Sequence, residues 1–173
     1  HAAAYKHVGI VEENYVSGFY NNIIVTDNIL KLTNSKKIKN FVLISSDKSV
    51  RPTNLMGASK RVCELLIYKY KYFSKNRSNF SIVRFGNVIN STGSVLPIFK
   101  KQIDDNKPLT ITHKNVSRYF MSIPQAVNLV LHSSIITNGL KIYLLDMGKP
   151  IKIFELAKKL LKVNGLLKND KKI

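Results

Sequence analysis

The sequence predicts an α/β fold built on a parallel sheet, and three observations carry that expectation. Short apolar runs with β-branched content, at Phe41–Ser45, Ser81–Arg84, Leu109–Thr112 and Lys141–Leu145, are the length of buried strands and too short for helices. Longer stretches of helical apolar spacing separate most of them. Polar loops rich in turn residues follow the first two runs, over 46–54 and 86–93. Strands alternating with helices close through right-handed crossovers, which makes the sheet parallel.

Residues 16–34 read as a helix with Phe19, Ile23, Ile29 and Leu30 as its apolar positions. After the strand Phe41–Ser45 and a loop containing Pro52, helical spacing resumes from Met56 to about Lys75. The strand Ser81–Arg84 leads through a Gly/Asn/Ser-rich loop ending at Gly93 to a helix over Ser94–Asp105, and Leu109–Thr112 reads as the next strand. Ser122 and Gln125 have the spacing of a capping box, with Ser122 as N-cap. The helix they start carries Ile123, Ala126, Val127, Val130 and Leu131, which the 3.6-residue period predicts as one buried stripe. Lys141–Leu145 is a strand. Pro150 suits the first turn of a last helix with Ile153, Leu156, Ala157, Leu160 and Leu161 inward, and Gly165 suits its end.

Composition narrows the class. A chain of 173 residues holds one compact domain, and 45% hydrophobic content fits a globular one. No apolar run approaches the ~20 residues a membrane-spanning helix needs. The formal charge of +18 could mark a nucleic-acid binder, but the lysines are scattered along helix ends and exposed faces, with no basic–aromatic stripe or zinc-ligand set beside them. A solvated basic surface is the expectation, with no nucleic-acid partner. The single cysteine, Cys63, lies in an apolar helical stretch and reads as a structural thiol, which favours a cytoplasmic setting. His113 and His132 lack metal-ligand spacing, so no metal site is expected.

Ligands of open parallel sheets bind beyond the carboxyl ends of the strands, which directs attention to the loops after Ser45 and Arg84. The first reads Ser45-Ser46-Asp47-Lys48 and offers an orienting hydroxyl, an acid and a base in a row. Met56 and Lys60, four apart, share one face of the helix that follows. The same Ser-Asp-Lys run is also an ordinary turn, and the residues alone leave both readings open.

The chain further contains, in order, His1-Ala2-Ala3-Ala4-Tyr5-Lys6-His7-Val8, Asn21-Asn22-Ile23, Phe41 to Lys48, Pro52 to Arg61, Val83-Arg84-Phe85-Gly86-Asn87-Val88 and Arg118-Tyr119-Phe120-Met121. This series closely resembles the CapD-like polysaccharide-biosynthesis family, extended short-chain dehydrogenases that act as nucleotide-sugar 4,6-dehydratases. The resemblance runs from His1 to about Leu161.

The resemblance implies a Rossmann-like, doubly wound parallel sheet whose first strands precede His1, with a small C-terminal substrate-binding part; residues 1–92 would complete the dinucleotide-binding domain and 93–173 would serve mainly the substrate. It implies NAD or NADP as cofactor and a UDP-sugar, most simply UDP-N-acetylglucosamine, as substrate. Lys48 would be the base at sugar C5, Asp47 the acid at the C6 hydroxyl, and Ser46 would orient the sugar. Lys60 would hold the nicotinamide ribose. Asn22, Ser45, Arg84, Phe85 and Asn87 would line the cofactor, while Asn87, Ser94, Lys100 and Arg118 would meet the substrate, Arg118 at its diphosphate. Met56 stands where most short-chain dehydrogenases carry a proton-accepting Tyr; a thioether accepts no proton, so the resemblance marks a dehydratase subgroup and makes Asp47 the first candidate to deprotonate the C4 hydroxyl.

No Gly-x-Gly-x-x-Gly occurs among the eight glycines, and a dinucleotide pyrophosphate normally needs that turn. The expectation is a catalytic C-terminal fragment that is inactive alone and binds cofactor weakly. The resemblance also implies a homo-oligomer at full length, located in the cytoplasm or as the cytoplasmic part of an inner-membrane protein, with membrane attachment only through an upstream region. Two other readings stand beside it: a sibling epimerase or reductase of nucleotide sugars, and a non-catalytic sugar-nucleotide-binding fragment.

Overall fold

The computed structural model describes residues 1–73 and 77–166. In chain order the elements are α1 (Val8–Glu13), α2 (Tyr15–Phe19), a π turn (Tyr20–Ile24), α3 (Val25–Ser35), β1 (Asn40–Ser46), a 3-10 turn (Asp47–Ser49), α4 (Leu55–Tyr72), β2 (Asn79–Phe85), β3 (Asn87–Val88), α5 (Val95–Asp104), β4 (Ser117–Arg118), β5 (Phe120–Met121), α6 (Ile123–Ile136), β6 (Leu140–Leu144), β7 (Ile151–Lys152) and α7 (Ile153–Val163). The α/β class and the parallel sheet are as expected: β1, β2 and β6 form a three-stranded sheet in that order, parallel throughout. The helix end expected near Lys75 lies outside the described residues.

The chain divides into two compact units, His1–Phe85 with Val127–Leu145, and Gly86–Ala126 with the residues from Asp146 onward. In the first, alternation along β1 buries Phe41, Leu43 and Ser45, and β2 buries Phe80 through Val83, so it is covered on both faces. Phe41, Leu43, Phe80 and Ile82 pack with Leu30 of α3 and with Cys63, Ile67 and Tyr70 of α4. Ser81 turns the other way, to the Ser133 carbonyl at 2.9 Å and the Thr137 hydroxyl at 2.7 Å on α6 and just beyond it. In the second unit the core is Phe99, Leu109, Ile153, Ala157 and Leu161. The end of α7 is a Schellman motif, with Gly165 at φ 67° and the Leu166 amide donating to the Leu161 carbonyl, as Gly165 predicted.

Four expectations need correction. The helix over 16–34 is interrupted by the π turn, in which the Asn22 carbonyl takes the Cys63 thiol at 3.0 Å and the Thr26 hydroxyl. Leu109–Thr112 forms no strand; the Gln102 amide satisfies Thr110 instead, donating to its hydroxyl at 2.8 Å and accepting its amide at 3.2 Å, while Leu109 is buried in the second core. Pro150 does not open the last helix, because Ile151 and Lys152 first pair antiparallel with Arg118 and Ser117 and the helix starts at Ile153. The capping box before α6 forms as expected, but Ile123, Val127 and Leu131 are exposed. The period is right and the face is rotated: the buried residues here are Ala126, Ser133 and Thr137, and the last two hydrogen-bond to Ser81 of β2. Among the described residues, no helix is long and apolar enough to cross a membrane.

Candidate active site

β1 ends at Ser46, and one 3-10 turn, Asp47–Ser49, follows directly. The Ser46 hydroxyl accepts the Lys48 amide at 3.2 Å and donates to Asp47 Oδ1 at 2.9 Å. The Lys48 ammonium donates to the same Oδ1 at 3.0 Å. Both charged side chains remain partly open to solvent, Lys48 at 27% and Asp47 at 31% exposure. An acid and an amine thus sit in contact at the carboxyl end of a parallel strand, oriented by a hydroxyl. The first turn of α4 lies against this turn. Asn54 caps it by accepting the Gly57 amide at 2.8 Å, and Gly57 is a glycine because a Cβ there would collide with the Lys48 carbonyl oxygen.

Met56 and Lys60 lie on α4 as the spacing predicted, and both are buried. Lys60, at 6% exposure, donates to the Ile44 carbonyl at 2.8 Å. Burial lowers its pKa from the ordinary lysine value, partly offset by the charge of Glu64 nearby. An ammonium has three donors, so this buried cation has capacity for ligand hydroxyls.

Sequence reasoning missed Glu64, the most heavily bonded side chain of the site. Its carboxylate is 0% exposed. Oε1 accepts from Ser45 at 2.6 Å, Ser49 at 2.8 Å and Arg84 Nε at 3.0 Å. Oε2 accepts from Arg84 Nη2 at 2.7 Å and Arg61 Nη1 at 3.0 Å. Burial alone would raise its pKa, but these five hydrogen bonds outweigh that and hold it at about 2. The available signal was a carboxylate inside the apolar helical run Val62-Cys63-Glu64-Leu65-Leu66-Ile67, where an unpaired charge is not tolerated.

The remaining expected residues divide between the units. Ser45 and Arg84 face each other in the β1–β2 register and meet at Glu64, and Phe85 ends β2 half-buried. Asn22 is fully buried in the π turn; its side chain accepts the Tyr5 amide at 2.7 Å and donates to the Tyr5 carbonyl at 3.1 Å and the Ser59 hydroxyl at 2.9 Å. All of these belong to the first unit, with Ser46, Asp47, Lys48, Met56 and Lys60. Asn87, Ser94, Lys100 and Arg118 belong to the second. There, Asn87 starts β3, its amide donating to the Tyr119 carbonyl at 3.0 Å. Ser94 occupies the N-cap of α5 without making a cap hydrogen bond, its buried hydroxyl lacking any partner among the described residues. Lys100 is exposed on α5. Arg118 is exposed on β4 and donates to the Ser117 carbonyl.

The chain matches the family described as "Polysaccharide biosynthesis protein" over residues 1–173. It is 44% identical over 170 residues to the capsular polysaccharide biosynthesis protein CapD of Staphylococcus aureus, a match covering 98% of this chain and 28% of CapD. It is 39% identical over 134 residues to the UDP-glucose 4-epimerase of Rickettsia bellii, covering 77% of this chain and 39% of the epimerase. Among solved structures, Pen from Bacillus thuringiensis superposes with a TM-score of 0.90 at 35% identity, over 97% of this chain and 52% of Pen. The chain therefore spans about a quarter to a half of the length of these relatives.

Proposed function

The chain belongs to the polysaccharide biosynthesis protein family, and on that premise we propose that it is the catalytic part of a nucleotide-sugar 4,6-dehydratase acting on UDP-N-acetylglucosamine. One observation carries the reading: Asp47 and Lys48 are held in contact at the carboxyl end of β1, with the Lys60 ammonium bonded to the Ile44 carbonyl on the same strand.

The cofactor in this reading would be NAD or NADP, which when bound would supply a hydride acceptor for sugar C4 and a hydride donor for C6. The chain fits that ligand at Lys60, a buried ammonium with donors to offer the nicotinamide ribose. Asp47 takes the proton of the C4 hydroxyl, since Met56 cannot. Ketone formation at C4 acidifies the C5 hydrogen. The Lys48 ammonium first gives up a proton to solvent; the resulting amine removes the C5 proton, and Asp47 passes its own to the C6 hydroxyl, which leaves as water. Lys48 then returns its proton to C5, and the proton balance closes within one turn. Ser46 orients the sugar hydroxyl. In the second unit, Arg118 serves the nucleotide diphosphate, for which a planar guanidinium is suited, and the Ser94 hydroxyl is a further substrate contact.

The test is incubation of the full-length protein with UDP-N-acetylglucosamine and identification of the product. A 4-keto-6-deoxy sugar is expected, with Asp47→Asn and Lys48→Ala each lowering kcat by about 10²–10⁴-fold. A C4 epimer as the product would instead support the epimerase reading, consistent with the Rickettsia relative. Either variant at full turnover would remove the roles assigned to Asp47 and Lys48.

A further inference from the structure

We propose that Glu64 is the positioning residue of this site: its buried carboxylate clamps both ends of the turn that carries Asp47 and Lys48 and ties that turn to the tip of β2. The inference rests on the dehydratase reading for its kinetic consequence and on geometry alone for the clamp.

The five-residue segment Ser45–Ser49 starts and ends on the same oxygen. The Ser45 hydroxyl reaches Glu64 Oε1 at 2.6 Å and the Ser49 hydroxyl at 2.8 Å. The Ser46 carbonyl lies 2.7 Å from the same Ser49 hydroxyl and shares its single hydrogen with Oε1, so the group that closes the turn sits between the carboxylate and the turn's own backbone. Asp47 and Lys48 sit between the anchored ends. The same carboxylate receives the forked Arg84 guanidinium, at 3.0 and 2.7 Å. Arg84 is the register partner of Ser45, so Glu64 joins the tips of two adjacent strands at one level. Arg61, one helical turn back on α4, supplies the fifth donor.

This geometry separates holding from chemistry. Glu64 is fully buried and saturated with donors, so it neither contacts a sugar nor moves a proton in turnover. What it controls is where Asp47 and Lys48 are. A carboxylate accepts from all five donors at once, whereas an amide in its place turns N–H groups toward guanidinium donors and must release one end of the turn. Misplacement of reacting groups by about 1 Å can cost on the order of 10²-fold in rate.

The experiment compares full-length wild type, Glu64→Gln and Ser49→Ala by steady-state kinetics with UDP-N-acetylglucosamine and by hydrogen exchange of the amides over residues 46–50. Glu64→Gln is expected to lose about 10²-fold in kcat with KM nearly unchanged. Ser49→Ala leaves the Arg84 pair and the helix intact and is expected to lose about 10-fold, both variants exchanging faster in the turn. If Glu64→Gln does not fold, Ser49→Ala decides the matter. A folded variant with wild-type kcat and wild-type exchange overturns the proposal. Should the wild type fail to dehydrate the substrate, the functional reading falls, while the exchange comparison still upholds or rejects the clamp.

Discussion

Acid titration of Glu64 offers a quantitative check on the clamp that needs no substrate. In the folded protein this carboxyl titrates at about 2, against 4.5 for an ordinary glutamate. A difference of about 2.5 units at 1.36 kcal/mol per unit corresponds to about 3 kcal/mol of stability. The sign follows from the direction of the shift. Between pH 2 and 4.5 the unfolded chain binds the proton and the folded chain does not, so stability falls as pH falls through that window. The contribution is complete above about pH 5 and gone near pH 2. The perturbation is Glu64→Gln, and the assay is the urea stability of wild type and variant from pH 6 to pH 2. Other carboxylates, including Asp27, whose pKa is lowered by its hydrogen bond and ion pair with Lys31, titrate in both proteins and cancel in the difference. The wild-type advantage is expected to shrink by about 3 kcal/mol across the window, with a slope of up to about 1.4 kcal/mol per pH unit. A difference that stays level between pH 5 and pH 2 would refute the picture of an ionised, donor-saturated carboxylate.

Two further outcomes follow from the same packing. Gly57→Ala places a Cβ against the Lys48 carbonyl, where both colliding partners are held by backbone; about 1–3 kcal/mol of destabilisation is expected, read as a lowered thermal midpoint, and an unchanged midpoint would contradict the contact. Cys63 is buried, and burial raises its thiol pKa, with the Thr26 hydroxyl and the Lys60 charge only partly offsetting this; alkylation at pH 8, mapped by mass spectrometry, should proceed only as fast as the protein opens, and rapid native-state labelling would show an accessible thiolate.

The parallel sheet was legible because buried strands leave a compositional trace: Phe41–Ser45 and Ser81–Arg84 lie within the observed β1 and β2. The position of the Asp47–Lys48 turn was legible because these residues follow a strand end directly. Orientation was not. The period of α6 identified a helix and could not say which part of its wide apolar circumference meets β2, since that was decided by Ser81, Ser133 and Thr137, polar residues that a hydrophobic count passes over. Leu109–Thr112 has strand composition but finds its hydrogen bonds in a side chain, Gln102. Glu64 escaped for a related reason. Its partners lie at Ser45, Ser49, Arg61 and Arg84, on a strand, a turn, its own helix and a second strand, so the cluster exists only once the chain has folded.

That cluster also decides which cations around the turn are available to a ligand. Lys48, Lys60, Arg61 and Arg84 face two carboxylates, Asp47 and Glu64, and the pairing is unequal. Asp47 neutralises Lys48. Glu64 is shared by Arg84 and Arg61, and Arg84 gives it both Nε and Nη2. The guanidinium expected from the sequence to serve a cofactor is therefore largely committed to the fold. Lys60 bonds to a carbonyl and, among the described residues, to no carboxylate. Among these six groups the cations outnumber the carboxylates by two. Lys60 carries the part of that excess that is both buried and uncompensated by an ion pair. A desolvated ammonium acts more strongly on a nearby negative or electron-rich group than one in water. The chain's large overall charge is spread over its surface and is screened over about 8–10 Å by physiological salt. On the proposed reading, the positive potential offered to the nicotinamide ribose therefore comes from this lysine and its burial rather than from the +18 of the whole sequence.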